Sequence, residues 1–265
     1  MDEDRAGRRA AGSPDRPPLA GAPPEGPADR PPSGPPRRWP PIGCALVTAA
    51  GFAVALVVSL AAARAFRIDL QRPELLRPED LLVLTGFSNV ALVIVVLVLA
   101  RRLLGASPAA LGLGAPTRGQ IRSAMVAGLV LWGASIALSA LQASVAGVSP
   151  QAVVVAIATH EGALAFVLDL LAGAVLAPFG EELLYRGVLF AGLLQRSPFV
   201  VAAALSAGAF TLVHERGVAL PIFALGFGLA WIYWRSGTLW APIVAHSVTN
   251  TISLALVYLL RDAVL

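Results

Sequence analysis

Long apolar runs separated by short polar breaks dominate the chain. The runs lie at about 42–64, 81–100, 121–143, 163–194, 199–214, 218–234 and 239–260. Helices of about 20 apolar residues cross the ~30 Å hydrocarbon core of a bilayer. The pattern predicts an all-α, multi-pass helical membrane protein with about seven spans. An eighth follows if residues 103–118 or 144–161 enter the membrane. Residues 1–41 break the pattern: they hold 12 of the chain's 21 prolines and almost no apolar residues. Such a segment cannot bury enough surface to fold and is expected to be a disordered Pro/Arg-rich tail. The following run, from Ile42 to Ala63, is too long for a signal-peptide core and has no obvious cleavage site. Three regions result: the tail at 1–41, a set of transmembrane helices at 42–160 and a C-terminal block at 161–265.

Composition agrees with a membrane reading. The 265 residues are 57% hydrophobic and 14% charged, with a mean hydropathy of +0.74. All 20 basic residues are arginine, which together with abundant Ala, Gly and Pro reflects GC-rich coding and does not point to a nucleic-acid partner. Membrane lipid is the expected surrounding partner. Arg37, Arg38, Arg101 and Arg102 favour a cytoplasmic N-terminus, and the absence of Lys and Arg from 144–161 suits the outer face. The loop from Arg64 to Asp80, with four arginines, pulls the other way. The single cysteine, Cys44, excludes an intrachain disulfide and a cysteine metal cluster.

Candidate chemistry concentrates in the stretch from Ala177 to Gly187, where two adjacent carboxylates and an arginine interrupt an apolar run. Charges at membrane depth are costly and mark function. Glu182 and Arg186 are four residues apart and share a helical face, so they can pair. Glu181 points about 100° away and is left available, with Tyr185 one turn on as a hydrogen-bond candidate. Pro178 and Gly180 predict a break or kink just ahead of the carboxylates. Asp169 and the loop residues His160 and Glu161 carry weaker signals, a solvated loop being the plain reading of the latter two. His214 ends one apolar segment, and His246 and Asn250 share a face of another. Phe210 lies one turn before His214.

A carboxylate at a dry site can act as general base on water. A histidine can share the proton, and a second histidine with an amide can stabilise a developing oxyanion. This set suits amide-bond hydrolysis. Two histidines and a glutamate (Glu181, His214, His246) also match some hydrolytic zinc sites, so a divalent metal such as zinc stays open as a cofactor. There is, however, no His-Glu-x-x-His. Nor is there a Gly-x-Ser-x-Gly or Gly-x-Gly-Asp element of other intramembrane protease designs. A catalytically silent scaffold or bacteriocin-immunity-type protein is the alternative. A transporter fits less well, since no paired inverted segments occur.

Three motifs carry a resemblance to a known family. Glu181-Glu182-Leu-Leu-Tyr-Arg186, Phe210-Thr-Leu-Val-His214 and His246-Ser-Val-Thr-Asn250 resemble, in order and spacing, the CPBP intramembrane proteases, also called the Abi or CAAX-protease family. Tyr185 stands where Phe is frequent. The resemblance covers about residues 163–260 and implies a membrane-embedded protease core in the C-terminal block. It further implies a site open toward the cytosolic side, and a peptide or membrane-protein substrate. By residue, it implies that Glu181 and His214 activate water, that His246 and Asn250 form an oxyanion hole, and that Glu182 and Arg186 support the site. The family carries the name metalloprotease, yet the arrangement also resembles a glutamate-dependent, metal-free one. Substrate identity and oligomeric state are not legible.

Overall fold

The computed structural model describes residues 38–146 and 151–261. The tail expected to be disordered lies outside the described residues, except for its last four. The described residues form helices and connecting loops, without strands. The helices are α1 (Pro41–Phe66), α2 (Pro78–Leu104), α3 (Arg118–Ala146), α4 (Ala152–Thr159), α5 (Gly162–Leu194), α6 (Phe199–Leu212), α7 (Ala219–Ser236) and α8 (Trp240–Leu259). Six of these are long and apolar enough to cross a membrane, and α6 is a shorter apolar helix. At 1.5 Å per residue its 14 residues reach only about 21 Å. The outer surface is apolar: Leu56, Val57, Ile94, Val126 and Val130 are all exposed. In water such a surface would aggregate, whereas in lipid it is the solvated face. The chain is a multi-pass membrane protein. Residues 103–118 and 144–161 add no further span among the described residues: the first holds a single 3-10 turn, Ala109–Leu111, and the second the eight-residue α4.

The break expected at Pro178 and Gly180 does not occur. α5 runs unbroken for 33 residues. Two wider π-helical stretches, Leu171–Leu176 and Leu183–Phe190, flank the carboxylates instead. Proline lacks an N–H, and a local change of hydrogen-bond register absorbs that loss without ending the helix. Gly180 serves close packing, not hinging: a Cβ there would collide with the side chain of Asn89 on α2. α3 and α8 also meet through a small residue. A Cβ on Gly128 would press on the Ala245 carbonyl, and Thr249 Oγ1 donates to the Gly128 carbonyl at 3.0 Å. Small residues let helix backbones approach in lipid, where no hydrophobic effect drives them together.

The two ends of the bundle differ in charge. At one end Trp39 N donates to Gln195 Oε1, Gln120 donates to the Ser236 carbonyl, and Leu239 N donates to the Gly112 carbonyl. These contacts gather the starts of α1, α3 and α8 with the ends of α5 and α7. Its charged residues are Arg38, Arg101, Arg102, Arg118, Arg122, Arg196 and Arg235, with no carboxylate among the described residues. At the opposite end arginines and carboxylates mix, as in the Arg77–Asp80 pair at 2.9 Å and the Arg261–Glu161 pair at 3.4 Å.

Candidate active site

The site is assembled from α5, the end of α6, and α8. Glu182 is its fixed centre, with a side chain that retains 0% of its surface. One oxygen, Oε1, accepts from Arg186 at 2.8 Å and from His246 Nδ1 at 3.0 Å. Arg186, equally buried, donates a second bond to the Gly226 carbonyl of α7 at 2.9 Å. Its guanidinium lies 4.8 Å from the centre of the Phe210 ring, within cation–π range. The pairing expected from the four-residue spacing is therefore present, and it ties α5 to α7 and α8 at once. Glu182 Oε2, Arg186 Nε and Tyr185 Oη are buried without a partner among the described residues. Groups of this kind are the ones buried water serves.

Glu181 is placed differently. Its side chain keeps 30% of its surface, and its Oε2 lies 3.8 Å from His246 Nε2. Because a carboxylate only accepts, His246 carries a proton on Nδ1 toward Glu182 and presents Nε2 to Glu181. Glu182 thus orients an imidazole for its neighbour in sequence. His214 is fixed by similar logic. It lies just past the end of α6, and its Nδ1 lies 2.7 Å from the Phe210 carbonyl. A carbonyl only accepts, so Nδ1 is the donor and Nε2 keeps a free lone pair. The turn after the helix, more than helical periodicity, brings His214 to the site. Phe210 is the shared platform: its ring centre is 4.6 Å from that of His214, 5.9 Å from His246 and 5.0 Å from Tyr185.

One expected contact is not made. Tyr185 does not hydrogen-bond Glu181; its buried ring packs edge-on against Phe52 and Phe210. The π-helical register from Leu183 onward turns it away from the position an α-helix would give it. Asn250 lies one turn beyond His246, and its Nδ2 donates to the Gly173 carbonyl at 2.8 Å. An amide nitrogen carries two protons, so one is committed and one remains. Among the described residues no three His, Cys, Asp or Glu side chains gather in a group able to hold a metal ion.

Three partners of these side chains and helices escape a reading of the sequence. Gly226 and Gly173 act through backbone carbonyls, which leave no residue-type signal. Asn89 does leave one, because it interrupts the apolar run of α2. A second buried polar cluster is equally unannounced. His160, expected in a solvated loop, is buried, with Nε2 2.7 Å from the Leu76 carbonyl and Nδ1 2.8 Å from Asp169 Oδ2. Tyr258 donates to the same oxygen at 2.7 Å.

Comparison with known proteins bears on this block. Residues 163–252 match the family model described as type II CAAX prenyl endopeptidase Rce1-like. A Bacillus subtilis (strain 168) protein named "Putative membrane peptidase YdiL" is 32% identical over 85 residues. That alignment covers 32% of this chain and 35% of the relative, so the shared part spans about a third of the relative's length. No solved structure matches. The matched segment begins at the start of α5 and takes in every residue of the cluster built on Glu182. Residues 163–252 are therefore similar to the CAAX-protease (CPBP) family.

Proposed function

We propose that the protein is an intramembrane endopeptidase acting on peptide bonds of membrane-associated or lipidated substrates. One observation carries the reading. A half-open glutamate faces the nitrogen of a histidine that a second, fully buried glutamate holds in place. A purely structural ion pair has no use for the third member.

In this reading Glu181 takes a proton from water, aided by the free Nε2 of His214, and the water oxygen attacks the carbonyl carbon of the scissile bond. The C=O π electrons move onto oxygen. His246, with a proton on each ring nitrogen, donates through Nε2 to that oxyanion, and the uncommitted Asn250 proton is the second donor. Collapse re-forms the carbonyl and breaks the C–N bond, while the proton held at Glu181 passes to the leaving amine. Each oxyanion donor supplies about 3–4 kcal/mol in known cases. No step is assigned to a metal. The arginine-only end of the bundle favours a cytoplasmic N-terminus by the positive-inside rule.

The test is cleavage of a fluorogenic lipidated-peptide library by the purified protein in detergent, with products identified by mass. New termini at a defined bond, formed at least about 10²-fold more slowly with Glu181→Gln, support the reading. Products formed equally by the variant contradict it.

A further inference from the structure

The lipid-facing surface between α3 and α7 carries a groove that is separate from the active site. Its deeper part, about 610 Å³, is lined by Val126, Val130, Leu131 and Gly228 and is almost wholly apolar. Toward the arginine-only end it continues into a second hollow of about 500 Å³, reached by Gln120, Ser123, Arg235 and Ser236. Arg122 stands on the wall of the first and Trp231 on the walls of both. The groove therefore changes from polar and cationic at the bundle end to apolar at depth.

Its dimensions match one leaflet. From Gly119 to Leu131 the axis of α3 rises about 18 Å at 1.5 Å per residue, close to half of a ~30 Å hydrocarbon core. Trp231, half exposed, sits where interfacial tryptophans collect. Arg122 and Arg235 are exposed and make no salt bridge among the described residues. No carboxylate lines either hollow. Two unpaired guanidiniums above an apolar slot one leaflet deep complement one molecule, with a negative headgroup and a straight chain. Arginine suits a phosphate geometrically as well as electrostatically.

We propose that the α3–α7 groove is a binding site for an anionic phospholipid, with Arg122 and Arg235 on its phosphate and one acyl chain along Val126, Val130 and Leu131. Zwitterionic phospholipids offer the same phosphate but carry a cation beside it that two arginines repel, so the preference is for net negative headgroups.

The experiment uses the delipidated full-length protein in neutral detergent. Phosphatidylglycerol and phosphatidylcholine of identical chains are titrated separately, and bound lipid is read by native mass spectrometry. Wild type is expected to bind phosphatidylglycerol at least about tenfold more tightly, the scale of two arginines at a membrane surface. The double variant Arg122→Gln/Arg235→Gln should lose that preference and still bind phosphatidylcholine through the apolar slot. Arg102→Gln, at the same bundle end but off the groove, should keep the preference. Equal affinity of wild type for both lipids overturns the proposal, as does a preference that survives in the double variant. A preference lost equally in Arg102→Gln also overturns it, because the end's general charge would then be the cause. The exposed arginines contribute little to folding, and an unchanged unfolding temperature of each variant checks this.

Discussion

Two buried polar clusters lie along α5. Near its start, His160, Asp169 and Tyr258 form a set closed to the outside, with Asp169 Oδ1 buried and unpartnered among the described residues. Both imidazole nitrogens are occupied, one by the Leu76 carbonyl and one by Asp169, whose side chain is fully buried. No basic nitrogen is left for chemistry. Further along, Glu182, Arg186 and His246 form an equally buried core, but this one carries Glu181 at its edge with 30% of its surface open. His214 adds a second imidazole whose Nε2 is uncommitted. Both clusters hold a histidine against a carboxylate, so residue type alone does not separate them. What separates them is whether a carboxylate stays accessible beside an uncommitted imidazole nitrogen: Asp169 is fully buried, Glu181 is not. The closed cluster fastens the α1–α2 loop, α5 and α8 together, and the open one fastens α5, α7 and α8 around a usable carboxylate.

This contrast sets the size of each expected effect. Glu181→Gln should lower the cleavage rate by about 10²–10⁴, the range for a general base. Its unfolding temperature should stay near that of wild type, because the side chain is partly exposed and holds no other group in place. Glu182→Ala should cost about 3–5 kcal/mol of stability, since it leaves Arg186 buried and unpaired. Thermal unfolding in detergent measures this. The double variant Glu182→Leu/Arg186→Met should recover much of that stability while remaining inactive, which separates the anchor from the chemistry.

Asn250→Ala should reduce kcat by about 10²–10³ if its free amide proton serves the oxyanion, with KM little changed. His160→Ala should act the other way round. It should lose about 2–3 kcal/mol of stability, the worth of hydrogen bonds to a charged group, and keep kcat at a temperature where the variant is folded. A large fall in kcat of folded His160→Ala would erase the distinction between the clusters.

Much of the fold is legible in the sequence because helix length and apolarity answer directly to bilayer thickness. The runs at 42–64, 121–143 and 239–260 emerge as α1, α3 and α8 within a few residues. The Glu182–Arg186 pair is legible because a four-residue spacing is a local property of a helix. Three features are not. The unbroken passage of α5 through Pro178 depends on π-helical turns that no residue type announces. The burial of His160 depends on a backbone carbonyl 84 positions away. The commitment of Asn250 to the Gly173 carbonyl depends on how α8 crosses α5. Each of the three turns on backbone hydrogen bonds whose partners the residue types do not announce.

The central claim is that the open cluster does chemistry and the closed one does not. The most direct measurement compares peptide cleavage by wild type, Glu181→Gln and His160→Ala in one detergent preparation, each with and without a chelator. The expected result is cleavage by wild type and by His160→Ala that survives chelation, with Glu181→Gln slower by at least about 10². Cleavage by Glu181→Gln at close to the wild-type rate would contradict it.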